Sequence, residues 1–311
     1  MTTPAPTPQI LCLGEPLYEL NQRADGTFLP GFGGDTSNVA ISAARQGARV
    51  GYISRVGADS FGDAFIDLWT AEGVDITHVA RDRAAPTGIY FVTHDDKGHH
   101  FSYRRAGSAA SKMVPADVPL ETIRAARILH VTGISQAIGD GPADAVFAAI
   151  EAAKAAGVTV SYDTNLRLNL WPLDRARAVI HAAMSRCDIA RPGMEDAAHL
   201  TGLTDPDKVA DYYLKLGARI VALTLGGDGA LIATPDERRR VAGQKVKPVD
   251  ATGAGDCFGG AFLAELAAGR DPWAAAYYAN AAAALSTQGY GAIAPIPRRA
   301  DVEAFIASAA A

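Results

Sequence analysis

The sequence predicts an α/β fold, a mostly parallel sheet flanked by helices on both faces, with a small β-sheet lid projecting from it. Two observations carry this. From residue 127 onward short apolar runs alternate with helical patterns, the rhythm of strand–helix units whose parallel strands are covered on both faces. Near residues 15–32 and 86–106 the rhythm breaks into alternating polar and apolar residues, the signature of half-exposed strands.

Ile10-Leu11-Cys12-Leu13-Gly14 reads as a buried strand, with alternating residues following to Leu20. Residues 38–46 are Ala-rich with helical spacing and end at Gly47, as a C-terminal glycine should. A strand over 50–56 and a helix over 61–71, closed by Gly73, come next. Two alternating runs around Asp95-Asp96-Lys97-Gly98 give a hairpin. Strands at 128–131, 158–162, 189–190 and 220–223 then alternate with helices near 142–156, 174–184, 194–201 and 205–216. There is no internal repeat and no long linker. A disordered tail over 1–8 and one domain over 9–311 are expected.

With 49% apolar residues, a large core needs no disulfide or metal to hold it. Cys12, Cys187 and Cys257 match no metal or C-x-x-C spacing and read as small buried hydrophobes in a reducing compartment. The Pro/Thr-rich start lacks a basic region and an apolar run, so no signal peptide is expected, and a cytoplasmic location is. Apolar stretches fall short of a membrane span. Net charge is −5, and Arg238-Arg239-Arg240 reads as a solvated turn, not a nucleic-acid patch. His94, His99 and His100 read as solvated hairpin residues, and His130 as a core residue ending a strand.

Chemistry concentrates in Asp250-Ala251-Thr252-Gly253-Ala254-Gly255-Asp256-Cys257-Phe258, small residues followed by a helical apolar run. A helix opening on small residues turns free N–H groups and a positive dipole end toward one point, where an anion can sit. Asp256 in the first turn would stand beside that anion and accept a proton from an attacking hydroxyl, a reading of phosphoryl transfer to an alcohol. A Gly-rich turn with an Asp as dipole partner is also common as plain structure. The nine residues resemble the C-terminal signature of the ribokinase-like, or phosphofructokinase B, sugar kinases. Gly33-Gly34-Asp35-Thr36-Ser37-Asn38, with Ala43-Ala44-Arg45, Gly47, Val56-Gly57, Asp59 and Phe61-Gly62, resembles the N-terminal signature of the same family. Read alone, that turn is a helix cap whose polar groups suit sugar hydroxyls.

The resemblance spans the chain after the tail and implies ATP, Mg²⁺ and transfer to a sugar hydroxyl. It assigns Asp256 as base and the N–H groups of Gly253, Ala254 and Gly255 to the transferring phosphoryl. Gly33, Gly34, Asp35 and Asn38 would hold the sugar. Thr224, Gly226 and Gly229 resemble the nucleotide loop, though a β-turn is the simpler reading of those residues. Glu195 would support Mg²⁺ through water, but Pro192 stands where the family's Asn-x-x-Glu motif begins. Gly289-Tyr290-Gly291-Ala292 would border the adenine pocket or form a turn. Asp250 and Thr252 lie where some relatives bind a monovalent cation.

Tyr103 and Arg105 point the same way along an extended segment, a pairing that suits a carboxylate or an exposed cation–aromatic face. Asp163-Thr164-Asn165-Leu166-Arg167 follows a strand at the sheet edge where α/β proteins bind ligands. There Arg167 faces a sugar's anionic group or ATP phosphates, or pairs with Asp163. Together with Tyr90, these segments resemble the 2-keto-3-deoxygluconate kinase branch, in which they position a sugar acid and Asn165 and Arg167 also meet ATP. Fructokinase is the alternative within the family. A non-catalytic sugar sensor lies outside it, and the intact Asp256 argues against that. A nicotinamide dehydrogenase is disfavoured because no G-x-G-x-x-G follows the first strand. Exposed lid strands are an aggregation liability, so pairing into a homodimer or a dimer-built oligomer through the lid is expected.

Overall fold

The computed structural model describes residues 7–95 and 98–309. The chain opens with β1 (Ile10–Leu13), β2 (Leu17–Gln22) and β3 (Phe28–Gly33), then α1 (Asp35–Arg45), β4 (Val50–Gly57), α2 (Ser60–Ala71) and β5 (Asp75–Asp82). The hairpin of β6 (Gly88–Asp95) and β7 (Gly98–Arg104) follows, then α3 (Leu120–Ala125), β8 (Ile128–Thr132), α4 (Gly133–Ala137) and α5 (Asp140–Ala155). Next come β9 (Thr159–Asp163), α6 (Leu173–Met184), β10 (Ile189–Arg191), α7 (Met194–Thr201), α8 (Pro206–Leu216) and β11 (Ile220–Thr224). The chain ends with β12 (Gly229–Ala233), β13 (Arg238–Ala242), α9 (Ala254–Ala267), α10 (Pro272–Ser286) and α11 (Arg299–Ala309).

Among the described residues, nine strands form one sheet in the order β13-β12-β11-β10-β9-β8-β1-β4-β5. Its pairs are parallel except β11–β12 and β12–β13. Apolar side chains alternate to its two faces and build two cores, one under α5, α6 and α8, the other under α1, α9 and α10. The sequence order reverses between β1 and β8, so the strand ends there open a crevice, the place where such sheets bind ligands. A second sheet, β3-β2-β6-β7, stands apart from the first. It is mixed, since β2 pairs parallel with β6. Its four strands account for the broken rhythm near 15–32 and 86–106.

Several expectations change. Of the tail over 1–8, residues 1–6 lie outside the described residues, but Pro8 is buried and packs against Gly51. Arg238–Ala242 is a strand, not a solvated turn: Arg238 pairs with Asp207 and Asp211, and Arg239 lies over the Trp273 ring. His130 sits mid-strand in the core, where burial pushes its pKa well down and keeps the ring neutral. The turn residues Asp96 and Lys97 and the side chains of His94 and His99 lie outside the described residues; Asp95 faces Gly98 across the hairpin, and His100 lines a cavity beneath the lid. No helix among the described residues is long and apolar enough to cross a membrane.

Candidate active site

Three parallel strands end on polar residues that line one groove, Asp163 of β9, Arg191 of β10 and Thr224 of β11, and Thr132 at the end of β8 lies buried behind it. Across from them the first turns of α1 and α9 meet. Asn38 donates from Nδ2 to Asp256 Oδ2 at 2.8 Å, and Ser42 Oγ donates to the Cys257 carbonyl. Asp35 accepts from Thr132 Oγ1 at 2.6 Å and from Asn165 Nδ2 at 3.0 Å. Asn165 is the non-glycine residue with positive φ (31°) among those described, held there by its bond to Asp35 and by its N–H to Asp163 Oδ1. Backbone strain of this kind persists where surroundings over-determine it, and it clusters at functional sites.

The packing of carboxylates tunes their protonation. Burial pushes the Asp256 carboxyl up to about 7; Asp35 and Asp163 add to this, while Asn38 and Arg191 oppose it. Asp163 is pushed up to about 6 by burial, against the pull of Arg191, and Asp196 is raised for the same first reason. A carboxylate titrating near neutrality suits a general base.

Three cavities run together through this groove. One of about 610 Å³ lies beneath the lid sheet and is lined by Gly33, Gly34, Asp35, Asn38, Tyr90, Tyr103, Arg105, Arg167 and Asp256. It thus gathers the sugar-binding residues expected from sequence. Gly34 is at φ 100°, and a Cβ there would stand 2.3 Å from the Glu15 carbonyl oxygen, so the turn accepts only glycine. Arg105 lies over the Tyr103 ring and is paired with the buried Glu15. Tyr90 donates its hydroxyl to Glu19, so its side chain reaches the cavity already engaged.

The second cavity, about 480 Å³, joins Asn165, Arg167, Glu195, Thr224, Gly226, Gly253, Gly255 and Asp256. The third, about 720 Å³, continues past Gly226 and Gly229 to Val246, Phe258, Asn280 and Ala283, a mostly apolar slot. Gly255 and Asp256, in the first turn of α9, turn N–H groups toward the junction. The N–H of Ala254, expected to join them, is spent on the Ala251 carbonyl at 3.2 Å. Glu195 is exposed at the rim of the second cavity, while its neighbour Asp196 points inward and accepts from Thr164 Oγ1 and the Leu166 N–H. Asp250 accepts from Thr252 and from the Gly291 N–H, which ties residues 250–252 to the C-terminal loop. That loop does not border the third cavity: Tyr290 is exposed and Ala292 lines the cavity under the lid.

Sequence reasoning missed Arg191, Glu15 and Glu19. Arg191, not Arg167, pairs with Asp163, at 3.2 Å. A single Arg at the end of an apolar strand was the available signal, at the edge where ligands bind. The glutamates lie in a stretch whose alternation marked a strand and hid their partners.

A family model for pfkB family carbohydrate kinases matches residues 7–299. The chain is 35% identical to 2-dehydro-3-deoxygluconokinase of Bacillus subtilis (strain 168) over 91% of its own length and 88% of that protein. It is 32% identical to probable fructokinase-7 of Arabidopsis thaliana, covering 96% and 92%. The crystal structure of fructokinase from Vibrio cholerae O395 with fructose, ADP and calcium ion bound superposes with a TM-score of 0.87 at 30% identity, covering 96% of this chain and 99% of that one. With the groove, the two signature turns and the whole sheet agreeing, this chain belongs to the pfkB family of carbohydrate kinases.

Proposed function

We propose that this sugar kinase phosphorylates the 6-hydroxyl of 2-keto-3-deoxygluconate with ATP, giving the 6-phosphate and ADP. The observation that carries this is the shared lining of the cavity beneath the lid: Tyr103, Arg105 and Arg167 line the space that Asp256 also lines. The buried Nε of Arg105 has no hydrogen-bond partner, a donor that a carboxylate oxygen would satisfy.

In the proposed reaction the sugar hydroxyl attacks the γ-phosphorus while Asp256 takes its proton. A new P–O bond forms to the sugar, the bond from γ-phosphorus to the bridging oxygen breaks, and ADP leaves with that electron pair. The first-turn N–H groups of α9 at Gly255 and Asp256 receive the transferring phosphoryl. Asn38 orients the Asp256 carboxylate, and Asp35, held by Thr132 and Asn165, accepts from sugar hydroxyls. The third cavity takes the base of the nucleotide, and Thr224 and Gly226 border its phosphates. No cluster of three His, Cys, Asp or Glu among the described residues is built to cage a metal. The second cavity offers the carboxylates of Glu195 and Asp196, and Mg²⁺, which keeps waters and phosphate oxygens, would need few such ligands. Glu195 at the rim would hold it through water, and the ion would supply charge to offset the phosphates.

A second reading has its own support. Glu15 balances the charge of Arg105, so the cavity presents less net positive charge than two free arginines would, which favours a neutral ketose such as fructose. The deciding experiment is a coupled ADP-release assay with Mg²⁺-ATP and four acceptors: 2-keto-3-deoxygluconate, its galactonate epimer, fructose and ribose. Turnover confined to the keto-deoxy acids supports the first reading; preference for fructose overturns it and leaves Asp256 in place. The lid sheet exposes Phe28, Leu29 and Phe101, which supports pairing of two copies through that sheet.

A further inference from the structure

Beneath the first turn of α9 lies a cation that the proposed chemistry leaves unused. Arg191 is 2% exposed. Its Nη2 donates to the Gly255 carbonyl at 2.9 Å and stands 3.2 Å from Asp163 Oδ2. The guanidinium lies flat against α9 one turn further on, where Gly259 leaves room. A Cβ at Gly259 would sit 2.2 Å from Nη2 and 2.3 Å from Cζ and Nη1. Residues 255 and 259 stand one above the other on the same helical face, so the plate touches both. Nε and Nη1 are buried without partners, an expensive arrangement for a charged group unless the charge itself is needed.

The charges around it explain that need. Asp35 comes from α1, Asp163 from the end of β9, Asp256 from α9, and Glu195 and Asp196 from α7. The other cation lining this cavity is Arg167, exposed beyond β9. His130 and Cys12, also within reach of the Arg191 field, are kept neutral by burial.

We propose that Arg191 is a positioning residue for phosphoryl transfer: laid against Gly259, it fixes the first turn of α9 through the Gly255 carbonyl and offsets the carboxylates gathered around Asp256. This rests on Asp256 as the base. Arg191 acts through Gly255, Asp163 and Asp256 and does not need to touch substrate. The helix turn that presents the base is thereby held from below by a fork whose geometry lysine cannot reproduce.

The test measures kcat and KM by ADP release from pH 6 to 9.5 for wild type, Arg191→Met, Arg191→Lys and Gly259→Ala, with thermal melts to confirm folding. Arg191→Met is expected to lose about tenfold in kcat at pH 7, with both KM values within about threefold. Its acid limb moves up by about one unit, because a nearby opposite charge is gone, so the loss shrinks to a few-fold at high pH. Arg191→Lys keeps the wild-type limb while kcat stays several-fold low. Gly259→Ala alters no charge yet lowers kcat several-fold by displacing the guanidinium. A ¹³C-NMR titration of the Asp256 carboxyl in wild type and Arg191→Met reads the same shift without turnover. A loss that is uniform across pH in Arg191→Met, or an unshifted carboxyl titration, overturns the proposal. Should Arg191→Met not fold, wild-type kcat in both Arg191→Lys and Gly259→Ala overturns it, and a several-fold loss in both supports it. Asp256→Asn separates the layers. If that variant turns over, the reading of the base fails; if it is inactive while the Arg191 variants behave as wild type, only the role of Arg191 fails.

Discussion

Replacing Arg105 by Met isolates the charge at the sugar end of the groove. Glu15 has a side chain 0% exposed, and its remaining partner would be Ser108 Oγ at 3.3 Å. In the wild type burial already raises the Glu15 pKa, and Arg105 is the main influence pulling it back. Without the guanidinium the folded pKa rises further, and a buried ion pair that loses one partner costs about 3 kcal/mol at neutral pH. The sign follows from linkage. A carboxyl whose folded pKa lies above its unfolded value stabilises below the unfolded pKa, and that contribution is lost as pH rises through the folded one. The deficit of Arg105→Met is therefore largest near pH 8, about 6 °C in Tm for a chain of this size, and narrows toward pH 5. Differential scanning fluorimetry across that range measures it, and ADP release in parallel should show KM for the sugar acid up at least about tenfold, as expected for a lost charge-assisted bond. KM for ATP stays near wild type. A Tm deficit that does not change with pH, or equal loss with a neutral sugar, would refute the reasoning.

Other outcomes follow from the same geometry. Asp256→Asn should lower kcat by about 10²–10⁴-fold while calorimetry still detects both ligands; substantial turnover removes it as base. Asn165→Gly relieves the positive φ but loses the bond to Asp35, whereas Asn165→Val loses the same bond and keeps the strain, so urea unfolding should rank Val as the less stable by about 1–2 kcal/mol. Phe28→Glu combined with Leu29→Glu should leave the chain monomeric by analytical ultracentrifugation with its fold intact; an unchanged sedimentation coefficient in a dimeric wild type counts against pairing through the lid.

Much of the architecture was legible because it rests on local periodicity. The helix over 194–201 was placed to the residue, and the alternating strands of the second sheet stood out by their change of rhythm. The first helix begins at Asp35, not Asn38, because Asp35-Thr36-Ser37 read as a cap while Gly34 does that work and Asp35 turns inward. β13 was hidden by its three arginines, since an edge strand tolerates charge that a pattern search takes for a turn. β5 was missed because it is a half-exposed edge strand with an irregular register against β4. In the site, the two signature turns could be seen as anion and sugar grips. What no local pattern contains is pairing across the fold: Arg105 with Glu15, and Arg191 with Gly259 and Asp163.

The contact between Asn38 and Asp256 joins segments made at opposite ends of synthesis. β1, first off the ribosome, lies inside the sheet between β4 and β8, and every strand among the described residues has been made once Ala242 is in place. α9 and α10 come afterwards, and they bring Asp256, the first-turn N–H groups and the far wall of the third cavity. Because α9 and α10 also supply much of the core on one face of the large sheet, closing that core and assembling the candidate site are one late step, taken when α9 docks against α1.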